Sequence, residues 1–159
     1  MSLQISLILH NIRSMENVGS MFRTADAFGV TRIYITGYTP APTDRFGREV
    51  GKIAKTALGA EVSVPWQKVE ISECVAELKQ NGVRIVALEQ DPRSVPLQTY
   101  VRNPGVEQMA LLVGNEVTGV EPEVLALAED VIEISMMGKK ESLNVAVATG
   151  IALFHLSRP

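Results

Sequence analysis

The amino-acid sequence predicts an α/β domain, a mostly parallel sheet flanked by helices. Three observations carry this. Strand-like and helix-like segments alternate from Ile5 to Leu156. Three helix-like segments stop at a glycine, namely Gly29, Gly59 and Gly82. The chain has 159 residues, of which 46% are hydrophobic, enough for one core and a single domain spanning 1–159.

Ile5–His10 reads as the first strand. Asn17–Phe28 reads as a helix before Gly29, and Arg32–Thr36 as a β-branched strand. Asp44–Leu58 reads as a helix ending at Gly59, and Glu61–Val64 as a short strand. Lys68–Asn81 reads as a helix before Gly82, followed by strands Val83–Leu88 and Gln108–Val113. Pro122–Glu129 reads as a short helix with proline in its first turn, and Val131–Ser135 as the last strand. Ser142–Leu156 closes the chain as a helix, with Ser142 as the expected N-cap. One long connection, Glu89–Glu107, interrupts the alternation and contains Pro92, Pro96 and Pro104. Such a stretch is either functional or a surface excursion.

Composition narrows the functional classes. The formal net charge is −3, so nucleic-acid contact requires a local cationic patch. The lone cysteine, Cys74, rules out an internal disulfide. The two histidines, His10 and His155, lie at opposite ends, and no Cys/His cluster has metal-ligand spacing. The apolar run Val145–Leu156 is too short to span a bilayer. The N-terminus lacks a signal-peptide pattern, which favours the cytoplasm.

In open α/β sheets, ligands sit beyond the carboxyl ends of the strands. Three post-strand loops are unusual: His10–Asn17, Gly114–Gly119 and Met136–Ser142. After the first, Asn17 precedes Gly19 and Arg23. Asn17 and Ser20 are also plausible helix caps. Arg23 sits beside Phe22 in a helix expected to pack on the sheet, where a guanidinium requires an anionic partner. Phosphate fits that need, and Asp26 is an internal alternative. In the second loop an apolar strand ends abruptly in Gly114-Asn-Glu116. Glycine there lets a ligand approach the backbone, and Glu116 offers an acceptor. The third loop carries Lys139 and Lys140 before a helix start whose free N–H groups suit an anion or polar ligand. Each loop taken alone also reads as an ordinary polar turn.

Arg45, Arg48, Lys52 and Lys55 share one face if Asp44–Leu58 is helical, giving a basic stripe suited to a phosphate backbone. The closing helix is apolar nearly all round, which suits a role divided between core and dimer interface. Gly47–Ile53 lacks the spacing of a phosphate loop, and no Gly-x-Gly-x-x-Gly follows a strand.

Together the three loops resemble the signature motifs of the SpoU (TrmH-like) branch of the SPOUT RNA methyltransferases. The first motif matches through Asn17, Gly19 and Arg23, with Thr24–Gly29 following. The second matches through Gly114, Asn115, Glu116 and Gly119. The third matches through Ile134, Met136, Gly138, Ser142, Leu143, Asn144 and Val145. Lys55–Ala60 is also similar to the family. Two departures stand out: Ser135 occupies a position that is usually proline, which would stiffen the loop, and no extra RNA-binding domain is expected before His10.

The resemblance implies a SPOUT fold with a C-terminal deep trefoil knot, and a homodimer with each site near the interface. It implies S-adenosylmethionine-dependent methyl transfer to a ribose 2′-hydroxyl of RNA, with tRNA expected ahead of rRNA. The implied cofactor contacts are Leu88, Gly114, Asn115, Gly119, Ile134, Met136, Gly138 and Leu143. The implied catalytic set is Arg23, Asn17, Glu116, Ser142 and Asn144. Arg13, Arg45, Arg48, Lys52, Lys55, Lys139 and Lys140 are the expected RNA contacts. No metal, no membrane and no protein-ligated ion are expected. The rival classes are a non-catalytic RNA-binding protein on the same scaffold and an α/β enzyme acting on a small metabolite.

Overall fold

A computed structural model describes residues 2–158. Seven parallel strands form one sheet: β1 (Gln4–His10), β2 (Ile33–Thr36), β3 (Trp66–Lys68), β4 (Arg84–Leu88), β5 (Val95–Pro96), β6 (Gln108–Val113) and β7 (Asp130–Glu133). Their order is β3-β2-β1-β6-β4-β7-β5. The chain first runs outward through β2 and β3, crosses over to β4, and later returns to insert β6 between β1 and β4. All six pairings are parallel, so the carboxyl ends of all seven strands lie along one edge.

The central strands alternate between two cores. Leu7, Leu9, Leu111, Val113 and Val86 face one layer, and Ile8, Leu112, Ile85 and Ala87 face the other. Burial on both faces explains why these strands are uninterrupted apolar runs. The first layer is covered by α1 (Met15–Ala27), α2 (Gly51–Ala57), α3 (Ala60–Ser63) and α6 (Val145–Leu156). The second is covered by α4 (Ile71–Gln80) and α5 (Pro122–Leu125). Gly19 allows α1 and α2 to cross closely: a Cβ there would collide with Thr56 Oγ1 and the Ile53 carbonyl.

Several boundaries differ from the sequence expectation. The helix expected over Asp44–Leu58 begins only at Gly51. Residues 43–50 instead reverse direction, with Thr43 and Glu49 forming an antiparallel bridge. The Asp44 carboxylate accepts the Phe46 and Arg48 N–H groups at 2.8 and 3.0 Å. This local ring competes with helix, and Gly47 at φ +76° breaks the helical path. Arg45, Arg48, Lys52 and Lys55 therefore do not form a single helical stripe; only Lys52 and Lys55 share α2. Glu61–Val64 is not a strand. Gly59, at φ +97°, starts the one-turn α3, and β3 at Trp66–Lys68 takes the place beside β2. The helix expected from Lys68 begins at Ile71, capped by the Glu70 carboxylate. The closing helix begins at Val145 and its cap is Asn144, not Ser142.

The Glu89–Glu107 excursion contains β5 and a 3-10 turn at Leu97–Thr99. It is pinned at two points. Arg93 donates to the Leu125 and Ala128 carbonyls at 2.6 and 3.2 Å, beyond the end of α5. Tyr100 donates to Asp130 at 2.8 Å, and Asp130 is gripped by both nitrogens of Arg84 at 2.6 and 2.8 Å. The Arg84 guanidinium holds the Asp130 carboxyl below its usual range despite partial burial. Burial and the Asp130 hydrogen bond raise the Tyr100 phenol.

Candidate active site

The sheet order reverses around β1 and β6, and a cavity of about 300 Å³ opens beyond the ends of β4, β6 and β7. Leu88, Gly114, Asn115, Gly119, Ile134, Met136 and Leu143 line it. Glu116 and Ser142 line it as well. Gly138 does not: it lies in the exposed Met137–Lys140 segment outside the cavity. Ile134 and Met136 line the cavity but Ser135 between them does not, as expected of extended chain in which alternate residues face one side.

The loop after β6 is fixed by the side chain of Asn115. Its Oδ1 accepts the Val117 and Thr118 N–H groups at 2.8 and 2.9 Å. Its Nδ2 donates to the Asn11 carbonyl at 3.0 Å and to Tyr38 Oη at 2.9 Å. Asn115 and Gly119 close the turn with two backbone hydrogen bonds, at 3.0 and 3.1 Å. Gly119 has φ +69°, and a Cβ there would strike the Glu89 carboxylate. A Cβ on Gly114 would lie 2.7 Å from the Gly119 carbonyl carbon and oxygen. Close approach thus requires glycine at both positions, and at Gly119 the positive φ requires it as well.

Glu116 reaches back to the first loop. It accepts the Arg13 N–H at 3.1 Å, the Ser14 N–H at 3.0 Å and Asn17 Nδ2 at 3.2 Å. Burial disfavours its charge, but the Ser14 and Arg13 N–H groups outweigh that and hold the carboxyl below its usual range. Asn17 Oδ1 in turn accepts from Asn144 Nδ2 at 3.2 Å. The orientations of both amides follow from their neighbours. Asn17 must turn its NH₂ to the carboxylate, and Asn144 must turn its oxygen to the Ala146 and Val147 N–H groups that it caps. Glu116, Asn17 and Asn144 therefore form one chain of contacts joining all three loops. Asn17 acts in this chain, and the cap of α1 is Ser14.

Arg23 is not packed on the sheet. The buried stripe of α1 is Val18, Gly19, Met21, Phe22 and Ala25, and Arg23 falls on the exposed side with Glu16 and Ala27. It makes no ion pair among the described residues and does not line the cavity. The Arg13 side chain is exposed near Glu116, and Lys139 and Lys140 are exposed on the third loop.

The long connection after β4, read from the sequence as either functional or a surface excursion, enters the site through Glu89 and Gln90, which no sequence motif marks. Glu89 accepts the Val120 N–H at 3.0 Å and lines the cavity. Gln90 Nε2 donates to the Glu141 carbonyl at 2.8 Å and so ties the third loop in place. With Glu116, Glu133 and Glu141, Glu89 makes four carboxylates around the cavity, and no lysine or arginine lines it. That field suits a cationic ligand. His10, buried at the end of β1, contacts Thr36 Oγ1 at 2.9 Å and Glu121 Oε2 at 2.8 Å and so buttresses this edge.

Beside Asn17 and Asn144, α1 and α6 expose an apolar face. Val147, Ile151 and Phe154 are 52%, 41% and 46% exposed. Phe28 meets Phe154 edge to face. The opposite side of α6, with Thr149, Ala152, Leu153 and Leu156, is buried.

Residues 4–154 match the SpoU rRNA Methylase family. A 23S rRNA (guanosine(2553)-2'-O)-methyltransferase of Bacillus subtilis (strain 168) is 33% identical over 94% of this chain and 56% of its own length. A tRNA (guanosine(18)-2'-O)-methyltransferase of Aquifex aeolicus (strain VF5) is 33% identical over 93% of this chain and 66% of its own. This chain thus spans a little over half the length of several of the curated relatives it matches. An AdoMet-bound rRNA methyltransferase from Sinorhizobium meliloti superposes with a TM-score of 0.84 at 29% identity, covering 98% of this chain and 56% of that one. A structure concerned with 2-OH methylation of C/U34 on tRNA superposes at 0.79 with 26% identity, covering 97% and 94%. The match over nearly the whole chain, together with two signature loops lining one cavity and the first loop tied to them through Glu116, establishes that this protein belongs to the SpoU rRNA methylase family.

Proposed function

We propose that this chain transfers a methyl group from S-adenosylmethionine to a ribose 2′-hydroxyl of RNA, with tRNA as the preferred substrate class. The observation that carries this reading is the convergence of the cavity with the Glu116–Asn17–Asn144 chain. The cavity fits the cofactor on three grounds. Its volume of about 300 Å³ is in the range of small-molecule sites. Leu88, Ile134, Met136 and Leu143 give it apolar walls for the adenosyl group, and its carboxylates suit a positively charged sulfonium and ammonium. Leu88, Gly114, Asn115, Gly119, Ile134, Met136 and Leu143 would hold the cofactor.

S-adenosylmethionine supplies an electrophilic methyl group, and the reaction releases one proton from the ribose hydroxyl. The protein's task is alignment. Glu116, Asn17 and Asn144 keep the three loops in register, and Ser142 is an exposed residue of the cavity lining. A guanidinium offers hydrogen-bond donors and no acceptor, so Arg23 is assigned to charge stabilisation and not to proton abstraction. Its exposed guanidinium suits a substrate phosphate and the developing alkoxide. Arg13, Lys52, Lys55, Lys139 and Lys140 are exposed and would contact the RNA backbone. The preference for tRNA is supported by the neighbour concerned with tRNA position 34, whose length this chain nearly matches.

The same reading includes a homodimer built on the α1/α6 face, which borders Asn17 and Asn144. It also includes a C-terminal knot. In support, the excursion after β4 contributes Leu97 to the layer on which α6 packs. No helix among the described residues is long and apolar enough to cross a membrane, and action on RNA suits the cytoplasm.

The test has two stages. Calorimetry with S-adenosylmethionine should detect binding to the parent and to Arg23→Ala alike. Radiolabelled methyl transfer to bulk tRNA and rRNA, followed by nuclease and alkali-resistance mapping, should reveal 2′-O-methylation by the parent. Arg23→Ala should lose most of it. Absence of cofactor binding sinks the reading. Binding without transfer favours a non-catalytic RNA-binding role.

A further inference from the structure

We propose that Phe46, flanked by Arg45 and Arg48, is a stacking platform for an unpaired base of the RNA substrate. The proposal rests on the RNA-directed reading above and adds a recognition element outside the cavity.

Phe46 is 65% exposed at the tip of the 43–50 turn. An aromatic ring held in water forgoes about 2 kcal/mol of burial free energy. The turn holds it there rigidly. Beyond the Phe46 and Arg48 N–H groups, the Asp44 carboxylate accepts from Arg48 Nε at 2.8 Å. Asp44 N–H donates to the Arg48 carbonyl and Gly47 N–H to the Asp44 carbonyl, both at 2.9 Å. Val50 N–H donates to the Pro42 carbonyl at 2.9 Å and closes the base of the turn. A short polar turn needs no phenylalanine at its tip, and this ring supports no neighbouring element.

Two guanidinium groups stand at the ring, Arg45 at 4.7 Å and Arg48 at 4.9 Å from its centroid. Asp44 neutralises Arg48, whereas Arg45 has no ion-pair partner among the described residues. Arg45 thus places an unpaired guanidinium at an exposed aromatic ring, with Glu49 the remaining acidic residue of the turn. A base with its phosphate presents the complementary pair, a π face and a negative charge. An apolar protein partner would use the ring but not the uncompensated guanidinium.

The position is suitable. The turn follows β2 at the same sheet edge as the cavity and leads directly into α2. Lys52 and Lys55 on α2 lie close enough to Glu16, in the first turn of α1, to favour its charge. Thr56 Oγ1 donates to the Glu16 carbonyl at 3.0 Å. Ser14, two residues earlier, is a Glu116 contact. The turn thus leads into the helix that contacts the first turn of α1, next to the loop that Glu116 holds, on the side where a strand leaving the reaction centre would pass.

The test uses the full chain with a fluorescein-labelled unstructured oligoribonucleotide and with bulk tRNA. Phe46→Leu should weaken oligonucleotide binding by about tenfold to a hundredfold. Its melting temperature and S-adenosylmethionine affinity should be unchanged. Phe46→Trp should restore binding, and its added fluorescence should be quenched by the oligonucleotide. The salt slope should fall in Arg45→Gln but not in Phe46→Leu. Parent-like binding by Phe46→Leu overturns the platform, as does a loss confined to the arginine variants, which marks a bare phosphate patch. A Phe46→Leu effect on self-association instead of RNA affinity marks a protein contact and also overturns it. These binding measurements need no methyl transfer. An inactive parent whose RNA binding depends on Phe46 would sink the enzymatic reading and leave the platform standing. A parent that binds no RNA sinks both.

Discussion

Replacing Glu116 with glutamine tests whether its carboxylate holds the first and second loops together. Oε1 accepts two hydrogen bonds, from Ser14 N–H and Asn17 Nδ2, and Oε2 accepts one, from Arg13 N–H. Glutamine offers one acceptor and one donor. The less costly orientation turns its NH₂ toward Arg13, losing that bond and setting two donors against each other. The remaining two bonds lose their charge assistance. Hydrogen bonds to charged groups contribute about 1.5–3 kcal/mol and neutral ones about 0.5–1.5 kcal/mol. One bond lost and two weakened amount to about 4 kcal/mol at full burial. Glu116 is only partly buried, so screening roughly halves this to about 2 kcal/mol. In a domain of this size that lowers the melting temperature by about 4–8 °C. Differential scanning calorimetry measures the shift, and calorimetric titration with S-adenosylmethionine should show weakened binding as the loop loosens. Glu116→Gln with the parent's melting temperature and cofactor affinity would refute this account of the carboxylate.

Gly119→Ala should destabilise by about 2–4 kcal/mol in urea unfolding, from its positive φ and the displaced Glu89 carboxylate, and should abolish cofactor binding. Gly29→Ala, also at positive φ but in open space, should cost only about 1–2 kcal/mol, and equal losses at the two sites would contradict the steric part of this account. The depressed Asp130 carboxyl stabilises the fold above the ordinary carboxylate pKa of about 4, and that contribution disappears as pH falls through the lower folded value. Asp130→Asn should therefore be less stable at neutral pH and lose less on acidification, as urea melts across pH 6 to 2 (roughly the window of this linkage) will reveal. Ile151→Asp, on the exposed apolar face, should keep the fold but shift sedimentation from dimer to monomer, and an unaltered dimer would exclude that face as the interface.

The sequence alone determined the elements whose signals are local. Gln108–Val113 was legible to the residue because a strand buried on both faces must be apolar throughout. The three signature loops were legible because glycine, amide and carboxylate interrupt apolar runs abruptly at strand ends. Asp44–Val50 reads as helix in the sequence but is not one, because the spacing of basic residues cannot reveal that the Asp44 side chain captures two backbone N–H groups and turns the chain back. The orientation of Arg23 likewise depends on which stripe of α1 meets the sheet, and packing alone decides that. The chain from Glu116 through Asn17 to Asn144 spans sequence separations of 99 and 127 residues. No local pattern encodes contacts at that distance. They exist because the return of β6 to the side of β1 brings the three loops to one edge, and only that tertiary arrangement turns three ordinary polar turns into one site.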